Sequence, residues 1–353
     1  MGATLRDVAR LADVSVKTVS NVVNGYPHVS AALRHRVQAA VEELGYRPNA
    51  AARHLRTGRS GMLALVVSAI DLPYADELTR EVTDAAARRG YRVSVEQVAV
   101  DPEPSPAGGA RPTPVDGVLL GAAAPAPGLI EARAAAGTPV VLLGESGDGR
   151  CDHVAIDHTR AARDATEHLL ASGRRDIAAI GAHPRRSAAT PQPRTAGYRA
   201  AMRRAGLAPP PGYLQPARRH RRADGYRAAR ELLDHRRRPD ALFCFSDLLA
   251  IGAMRAVFDA GLSVPDDLAV IGVGDLEEGR YSRPALSTIS ADTAFIAREA
   301  VDRIVARISH PDAAVVQVTA PHAVLARESC GVTAPPTASA RAGRGGPGRG
   351  GRG

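Results

Sequence analysis

The sequence predicts an N-terminal all-α head built on a helix-turn-helix, followed by a large α/β body of two lobes. Three observations carry this. Residues 4 to 45 contain three runs of helical periodicity bounded by cap residues. From Gly61 onward, short apolar runs alternate with amphipathic ones in two successive series. The excess positive charge sits only at the two ends of the chain.

The 353 residues carry a formal net charge of +9, and Lys17 is the only lysine. Arginine richness beside abundant Ala, Gly and Pro reads first as a GC-rich coding bias, so the distribution of charge matters more than its total. Residues 1 to 60 hold nine basic residues against four acidic, residues 331 to 353 four arginines and no acid, and residues 61 to 330 are balanced at 33 each. A small basic head on a neutral body suits a polyanionic partner. No run of eighteen apolar residues occurs and the N-terminus carries acids, so neither a membrane span nor a leader is expected and the chain is placed in the cytoplasm. Cys151, Cys244 and Cys330 are widely spaced and support neither a disulfide framework nor a zinc site.

The head opens with Thr4 and Asp7 as a capping box for "LRDVARLA", with Leu5, Val8, Ala9 and Ala12 on one face. The next stretch, "VSVKTVSNVVNG", has strand composition but helical spacing: Val16, Val19 and Val23 fall at i, i+3 and i+7. Ser15, with Thr18 three residues later, offers an N-cap, and Gly25 a stop. A helix packed on the first one resolves the conflict, because packing rather than propensity then holds it. The valine stripe becomes core, with Val16, Lys17, Ser20 and Asn21 on or near the outer face. A third helix runs from Ser30 to Gly45, with Leu33, Val37, Ala40, Val41 and Leu44 as its seam. Then comes "PNAAARHLRTGRS", a short basic segment with Asn49 as cap and Leu55 as its one large apolar residue. By composition alone it is equally an ordinary linker.

The span "TLRDVARLADVSVKTVSNVVNGYPHVSAALRHRVQAAVEELGYRPNAAARHLRTGRS" resembles the headpiece of the LacI/GalR family of bacterial transcription regulators, through "VSxxTVSxVVNG" and "LGYxPNxxAxxL". Asp13 departs from the family, which usually has glycine in the turn; aspartate tolerates the left-handed conformation, so the turn should survive. The resemblance implies that Val16, Lys17 and Asn21 read base edges in the major groove, lysine suiting guanine acceptors, asparagine adenine, and valine a thymine methyl. It implies phosphate-positioning or capping roles for Thr4, Ser15, Thr18, Asn24 and Ser30. Residues 49 to 57, starting at Asn49, correspond to a hinge helix that wedges Leu55, with Ala52 beside it, into the minor groove.

In the body, "MLALVVSAI", "ADELTREVTDAAARRG", "YRVSVEQVAV", "VDGVLLGA", "GLIEARAAAG" and "TPVVLLG" form one strand-helix series. A second runs from "HVAID" through "TRAARDATEHLLASG", "DIAAIGA", "TAGYRAAMRRAGL", "DGYRAARELLDH", "ALFCFS" and "DLLAIGAMRAVFDAGL" to "LAVIGVGD". Such alternation gives parallel sheets covered by helices. The phrases "HLLASGRRDIAAIGA", "GYRAAMRRAGL" and "AIGAMRAVFDAGLSVPDDLAVIGVGD" are similar to the family's periplasmic-binding-protein-like core, in which an effector sits between lobes. That similarity implies lobe crossings near Asp157, Ser290 and Val318. It also implies an effector site with Arg194 as the gripping group, Asp247 and Asp275 as carboxylates, Ser246 in place of the family's asparagine, and Tyr74. Gly274 stands where a ligand-binding aspartate often sits, which argues against a common hexose and leaves open an effector-blind regulator with a degenerate pocket.

The prolines and paired glycines of "DPEPSPAGGARPTPVDG" exclude a helix over 102 to 114, so the first lobe is expected to lack one covering helix. The runs "RRHRR" at 218 to 222 and "DHRRR" at 234 to 238 read as solvated surface rather than a second nucleic-acid site. "CDH" at 151 to 153 points three ways and does not make a metal site. No nucleophile motif occurs and "GVGD" lacks the remaining glycines of a dinucleotide fingerprint, so no catalysis, cofactor or metal is expected. A transport solute-binding protein is disfavoured by the head and the missing leader, and an α/β enzyme by the missing constellation.

The expected organisation is residues 1–48 as the DNA-binding head, 49–60 as hinge and linker, 61–330 as effector-binding and dimerisation body, and 331–353 as a disordered Gly/Arg-rich tail. The expected partners are a pseudo-palindromic double-stranded DNA operator, a small sugar-like effector and a second copy of the chain, the two-fold of a homodimer matching the two half-sites.

Overall fold

The computed structural model describes residues 3–23, 26, 28–46, 59–67, 73–97, 114–121, 129–144, 149–182, 192–217 and 220–331. In the head, α1 (Leu5–Leu11), α2 (Val16–Val23) and α3 (Ala31–Glu43) close around Val8, Ala12, Val19, Val22, Val37 and Tyr46. The valine stripe gains Val22, which the expected spacing left out, and Val16 lies on the outer face as expected. Val19 and Val22 are buried and Val23 partly so, whereas Val16 is 43% exposed. Val16 begins the helix, and side chains lean toward a helix N-terminus, so it overhangs the packed region.

The turn between α1 and α2 forms as the sequence suggested. Asp13 takes φ +50°. Val14 N–H donates to Ala9 O at 3.0 Å and Asp13 N–H to Arg10 O at 3.3 Å, a left-handed helix ending that satisfies the last carbonyls of α1. From α3, Arg36 reaches Asp13 O at 3.2 Å and pins the turn to the third helix.

The body contains two six-stranded sheets. The first combines β1 (Met62–Val67), β2 (Arg92–Gln97), β3 (Gly117–Leu120), β4 (Val140–Leu143) and β5 (Asp152–Ile156), with α4 (Pro73–Arg88) and α5 (Leu129–Ala135) between strands. The second series runs α6 (His158–Ala171), β6 (Ile177–Ala182), α7 (Pro193–Arg204), β7 (Leu214–Pro216), α8 (Arg222–Leu233), β8 (Ala241–Cys244), α9 (Asp247–Asp259), β9 (Ala269–Val273), α10 (Glu277–Tyr281) and β10 (Ser287–Ala291). Then α11 (Thr293–Ser309) and β11 (Gln317–Ala320) return to the first lobe, and β12 (His322–Leu325) joins the second. The strand orders are β11-β5-β4-β3-β1-β2 and β12-β10-β9-β8-β6-β7. Each lobe thus repeats one doubly wound order, parallel except for the β10–β12 pair. Strands β1, β3, β4, β6 and β8 are buried almost throughout, which is why they read as unbroken apolar runs.

The chain crosses between lobes after β5, after β10 and after β11. At the first two crossings an aspartate caps the next helix: Asp157 accepts from Arg160 N–H at 2.9 Å and Asp292 from Phe295 N–H at 2.8 Å. The third crossing falls at Pro321, three residues beyond the expected Val318, because β11 extends to Ala320. The short edge strand β7 was not anticipated; at three residues it leaves too little pattern to detect. Helix pairs α6–α7 and α8–α9 pack backbone to backbone. A Cβ on Gly197 would meet Thr159 O at 2.1 Å, and one on Gly252 would meet Arg222 O at 1.9 Å. Residues 102–113 of the proline-rich segment lie outside the described residues, as does the tail from 332 onward.

Candidate nucleic-acid interface and ligand cleft

On the head, the cap residues and the exposed side chains of α2 define one face. Ser15 Oγ accepts from Thr18 N–H at 3.0 Å and lies 2.8 Å from Thr18 Oγ1, so these two residues start α2 together. Thr4 and Asp7 form the expected reciprocal box. Thr4 Oγ1 donates to Asp7 Oδ2 at 2.7 Å, and the same carboxylate accepts Thr4 N–H at 2.9 Å. Those bonds from Thr4 hold the Asp7 carboxyl below its ordinary range. Ser30 caps α3 through Leu33 N–H at 3.4 Å. Ser15, Val16 and Lys17 are exposed, and Thr18, Ser20 and Asn21 half-buried. A basic residue and short polar groups therefore stand at the start of a helix whose opposite side is packed core, the arrangement that a groove-inserted helix requires. Asn24, Asn49, Ala52 and Leu55 lie outside the described residues.

The residues expected to bind an effector come from both lobes. Tyr74, in the first turn of α4, is 38% exposed, yet burial pushes its phenol above the ordinary value, with Arg194 lowering it and Glu77 adding to the rise. Arg194 of the second lobe is thus near enough to Tyr74 of the first for its charge to act on that phenol. Arg194, in the first turn of α7, donates from Nη1 to Phe245 O at 2.9 Å and lies 3.4 Å from His158 Nδ1.

The sequence did not foresee how Asp247 is used. It is 1% exposed, and its carboxylate turns into the lobe, where Oδ1 accepts from Thr288 Oγ1 at 2.6 Å and Oδ2 from Leu276 N–H at 2.8 Å. Burial pushes this carboxyl up to about 6, against the lowering effect of those two bonds. Ser246 is equally committed, capping α9 through Leu249 N–H at 3.3 Å. Asp247 and Ser246 therefore spend their side chains on bonds within the second lobe. Asp275, at φ +52°, is held by two arginines: Oδ2 accepts Arg280 Nη2 at 2.7 Å and Oδ1 accepts Arg327 Nη2 at 2.5 Å, with Ser290 Oγ 3.4 Å from Oδ2. Arg280 gains basicity from that bond first, and Glu77 of the first lobe adds to it. Thr288, Arg280 and Arg327 were missed in the sequence. Arg280 follows Asp275 by five residues, a local signal, but Arg327 is 52 residues away and leaves none.

Elsewhere, Asp152 and His153 are structural. Asp152 pairs with Arg307 of α11 at 2.8 Å, and His153 Nε2 lies 2.7 Å from Gly144 O. Among the described residues, no group of three or more His, Cys, Asp or Glu could hold a metal, and no helix is long and apolar enough to cross a membrane. In the basic runs, Arg222 pairs with Glu278 and Arg237 with Asp176; Arg218 and Arg219 lie outside the described residues.

Residues 4–49 match the bacterial regulatory proteins of the lacI family, and residues 166–330 the periplasmic binding protein-like domain. The chain is 34% identical to the ribose operon repressor of Escherichia coli K12 over 315 residues, covering 88% of this chain and 94% of that protein. Its fold is similar to a lac repressor dimer bound to operator and the anti-inducer ONPF, with a TM-score of 0.79 at 27% identity over 94% of this chain and 99% of that one. It is also similar to the transcriptional regulator CelR in complex with cellobiose, with a TM-score of 0.68 at 30% identity over 93% and 99% of the two chains.

Proposed function

The chain belongs to the LacI family of bacterial regulatory proteins, and we propose that it is a cytoplasmic, homodimeric repressor without catalytic activity. It binds DNA through its head and is controlled by a sugar-like effector between its lobes. The observation that carries this reading is α2: Ser15 and Thr18 cap it, Val19 and Val22 anchor it, and Val16 and Lys17 project from it. In this reading Val16, Lys17 and Asn21 contact base edges, with Ser20 beside them. Thr4, Ser15, Thr18, Asn24 and Ser30 position the head on phosphates. Asn49, Ala52 and Leu55 belong to the hinge over 49–60, between the head at 1–48 and the body at 61–330. Leu55 is its minor-groove wedge.

The effector is gripped by Arg194 and Asp275 on one lobe and covered by Tyr74 on the other; Ser246 and Asp247 support them. Binding changes the orientation of the lobes, and the hinge transmits that change as a shift in operator affinity. The ribose operon repressor is named for a sugar operon, and the CelR structure is a complex with cellobiose, which supports a sugar-like ligand here. A glycine at 274 and an inward-turned Asp247 favour the second reading, a regulator blind to effectors.

Selection of genomic fragments on the purified protein, followed by release with a panel of sugars, nucleosides and acids, tests both. Enrichment of a pseudo-palindrome released by one compound supports the first reading. Enrichment that no compound alters supports the second, and no enrichment defeats the DNA-binding reading itself.

A further inference from the structure

Where the linker enters the first lobe, one carboxylate takes three bonds, two from Ser60 at the linker's end and one from Gly61. Asp116 stands just ahead of β3. Its Oδ1 accepts Ser60 N–H at 2.6 Å and Ser60 Oγ at 2.8 Å, and its Oδ2 accepts Gly61 N–H at 2.9 Å. Ser60 Oγ in turn accepts Met62 N–H at 3.2 Å, so the hydroxyl relays the contact into β1. Two backbone bonds, Asp116 N–H to Met62 O at 2.8 Å and Arg92 N–H to Gly61 O at 3.0 Å, belong to the sheet and would form with any residue type. The carboxylate bonds are what aspartate adds. Charge-assisted bonds of this kind are about twice as strong as neutral ones.

The next residue couples this point to the lobe crossings. A Cβ on Gly117 would meet Ile304 Cγ1 at 2.5 Å, so glycine lets α11 lie directly on β3 beside Asp116. Helix α11 starts at the second crossing, capped by Asp292, and its 17 residues span roughly 25 Å at 1.5 Å per residue. It packs on β3, β4, β5 and α4, is tied by Asp302 to Arg89 just after α4 at 2.7 Å and to β5 by Arg307–Asp152, and ends where Arg59 Nη2 reaches Ile308 O at 3.5 Å. One helix thus runs from the lobe crossing to the end of the linker.

We propose that Asp116 is a positioning residue for operator binding: its carboxylate fastens Ser60 and Gly61 to the first lobe so that the linker follows the lobe's orientation. This rests on the DNA-regulator reading above. A carboxylate that merely closed the start of a strand would affect stability alone. A positioning group affects the ratio of specific to nonspecific DNA affinity.

The test uses the full chain and two variants, Asp116→Asn, which turns one acceptor into a donor facing Gly61 N–H, and Ser60→Ala, which removes only the relay hydroxyl. The probes are the duplex enriched by the wild type from genomic fragments, a scrambled duplex of equal length, and hydrogen exchange at the Ser60 and Gly61 amides. The expected result for Asp116→Asn is at least tenfold faster exchange at Gly61 with Leu63 to Val67 unchanged. The specific-to-scrambled affinity ratio should fall at least tenfold while scrambled affinity holds. Ser60→Ala moves both quantities in the same direction by less. A preserved ratio in Asp116→Asn overturns the proposal, whether or not exchange quickens. Should Asp116→Asn fail to fold, Ser60→Ala decides by the same ratio. If the wild type enriches no duplex, the DNA-regulator reading has failed separately, and wild-type exchange at Gly61 in the variant still overturns the clamp.

Discussion

Thr288 donates its hydroxyl to Asp247 Oδ1 at 2.6 Å and so ties β10, the strand leading to the second lobe crossing, to the first turn of α9. Gly272 on β9 leaves the room for this pair, since a Cβ there would sit 2.1 Å from the same oxygen. Gly272→Ala should displace the carboxylate and lower unfolding free energy by about 1–3 kcal/mol, the usual cost of overpacking. Urea denaturation measures it; an unchanged midpoint would mean that Asp247 finds another rotamer at no cost.

Asp247 should also mark the pH dependence of stability. With its carboxyl raised to about 6 by burial, the folded chain keeps a proton that the unfolded chain, with a carboxyl near ~3.9, has already released. The stabilising contribution is fully present below about pH 4 and is lost as pH rises through about 6, on the order of 3 kcal/mol in all. Asp247→Asn does not titrate. The stability difference, wild type minus variant, should therefore decline across that window in urea titrations run at successive pH values, and a flat difference would remove the group from the account.

Asp13 holds a left-handed conformation that costs most L-residues roughly 1–2 kcal/mol. Asp13→Gly should leave the head as stable or more so, and Asp13→Val should destabilise it by about that amount. Hydrogen exchange at the Val19 and Val37 amides, both in the head's core, reports the change; equal protection in the two variants would show that the turn relaxes.

Lys17→Ala should flatten base preference at one operator position, a discrimination of about 1–3 kcal/mol for a good contact. Selection from randomised duplexes measures this. Equal weakening for every sequence would reassign Lys17 to the phosphate backbone.

Arg194→Ala should keep operator affinity within about twofold, since the head is untouched, while the response to the releasing compound disappears. Fluorescence anisotropy of the operator duplex with and without that compound reads both. A full response in the variant would sink the assignment of Arg194 to the effector.

The head was legible because its signals are local. The Thr4 and Ser15 caps, the 3.6-residue period and the turn at Asp13 all lie within a few residues of what they control. Even so, Val22 was left out of the valine stripe, because which of Val16, Val19, Val22 and Val23 is buried depends on where α1 and α3 approach α2. The lobes were legible from apolar runs of buried parallel strands, and β7 was not, being three residues at an edge.

The cleft divides along the same line. Sequence alone showed that Arg194 and Tyr74 stand immediately ahead of amphipathic runs, and that glycine occupies position 274 where the resemblance leads one to expect an aspartate. Only the tertiary structure decided that Asp247 turns inward to Thr288, that Asp275 is shared by Arg280 and Arg327, and that Asp116 grips the end of the linker. Apart from Asp275–Arg280, five positions apart, each of these joins residues 41 to 56 positions apart. Periodicity and caps report what a residue does to its own helix or strand, whereas a hydrogen bond between elements is set by how sheets and helices pack.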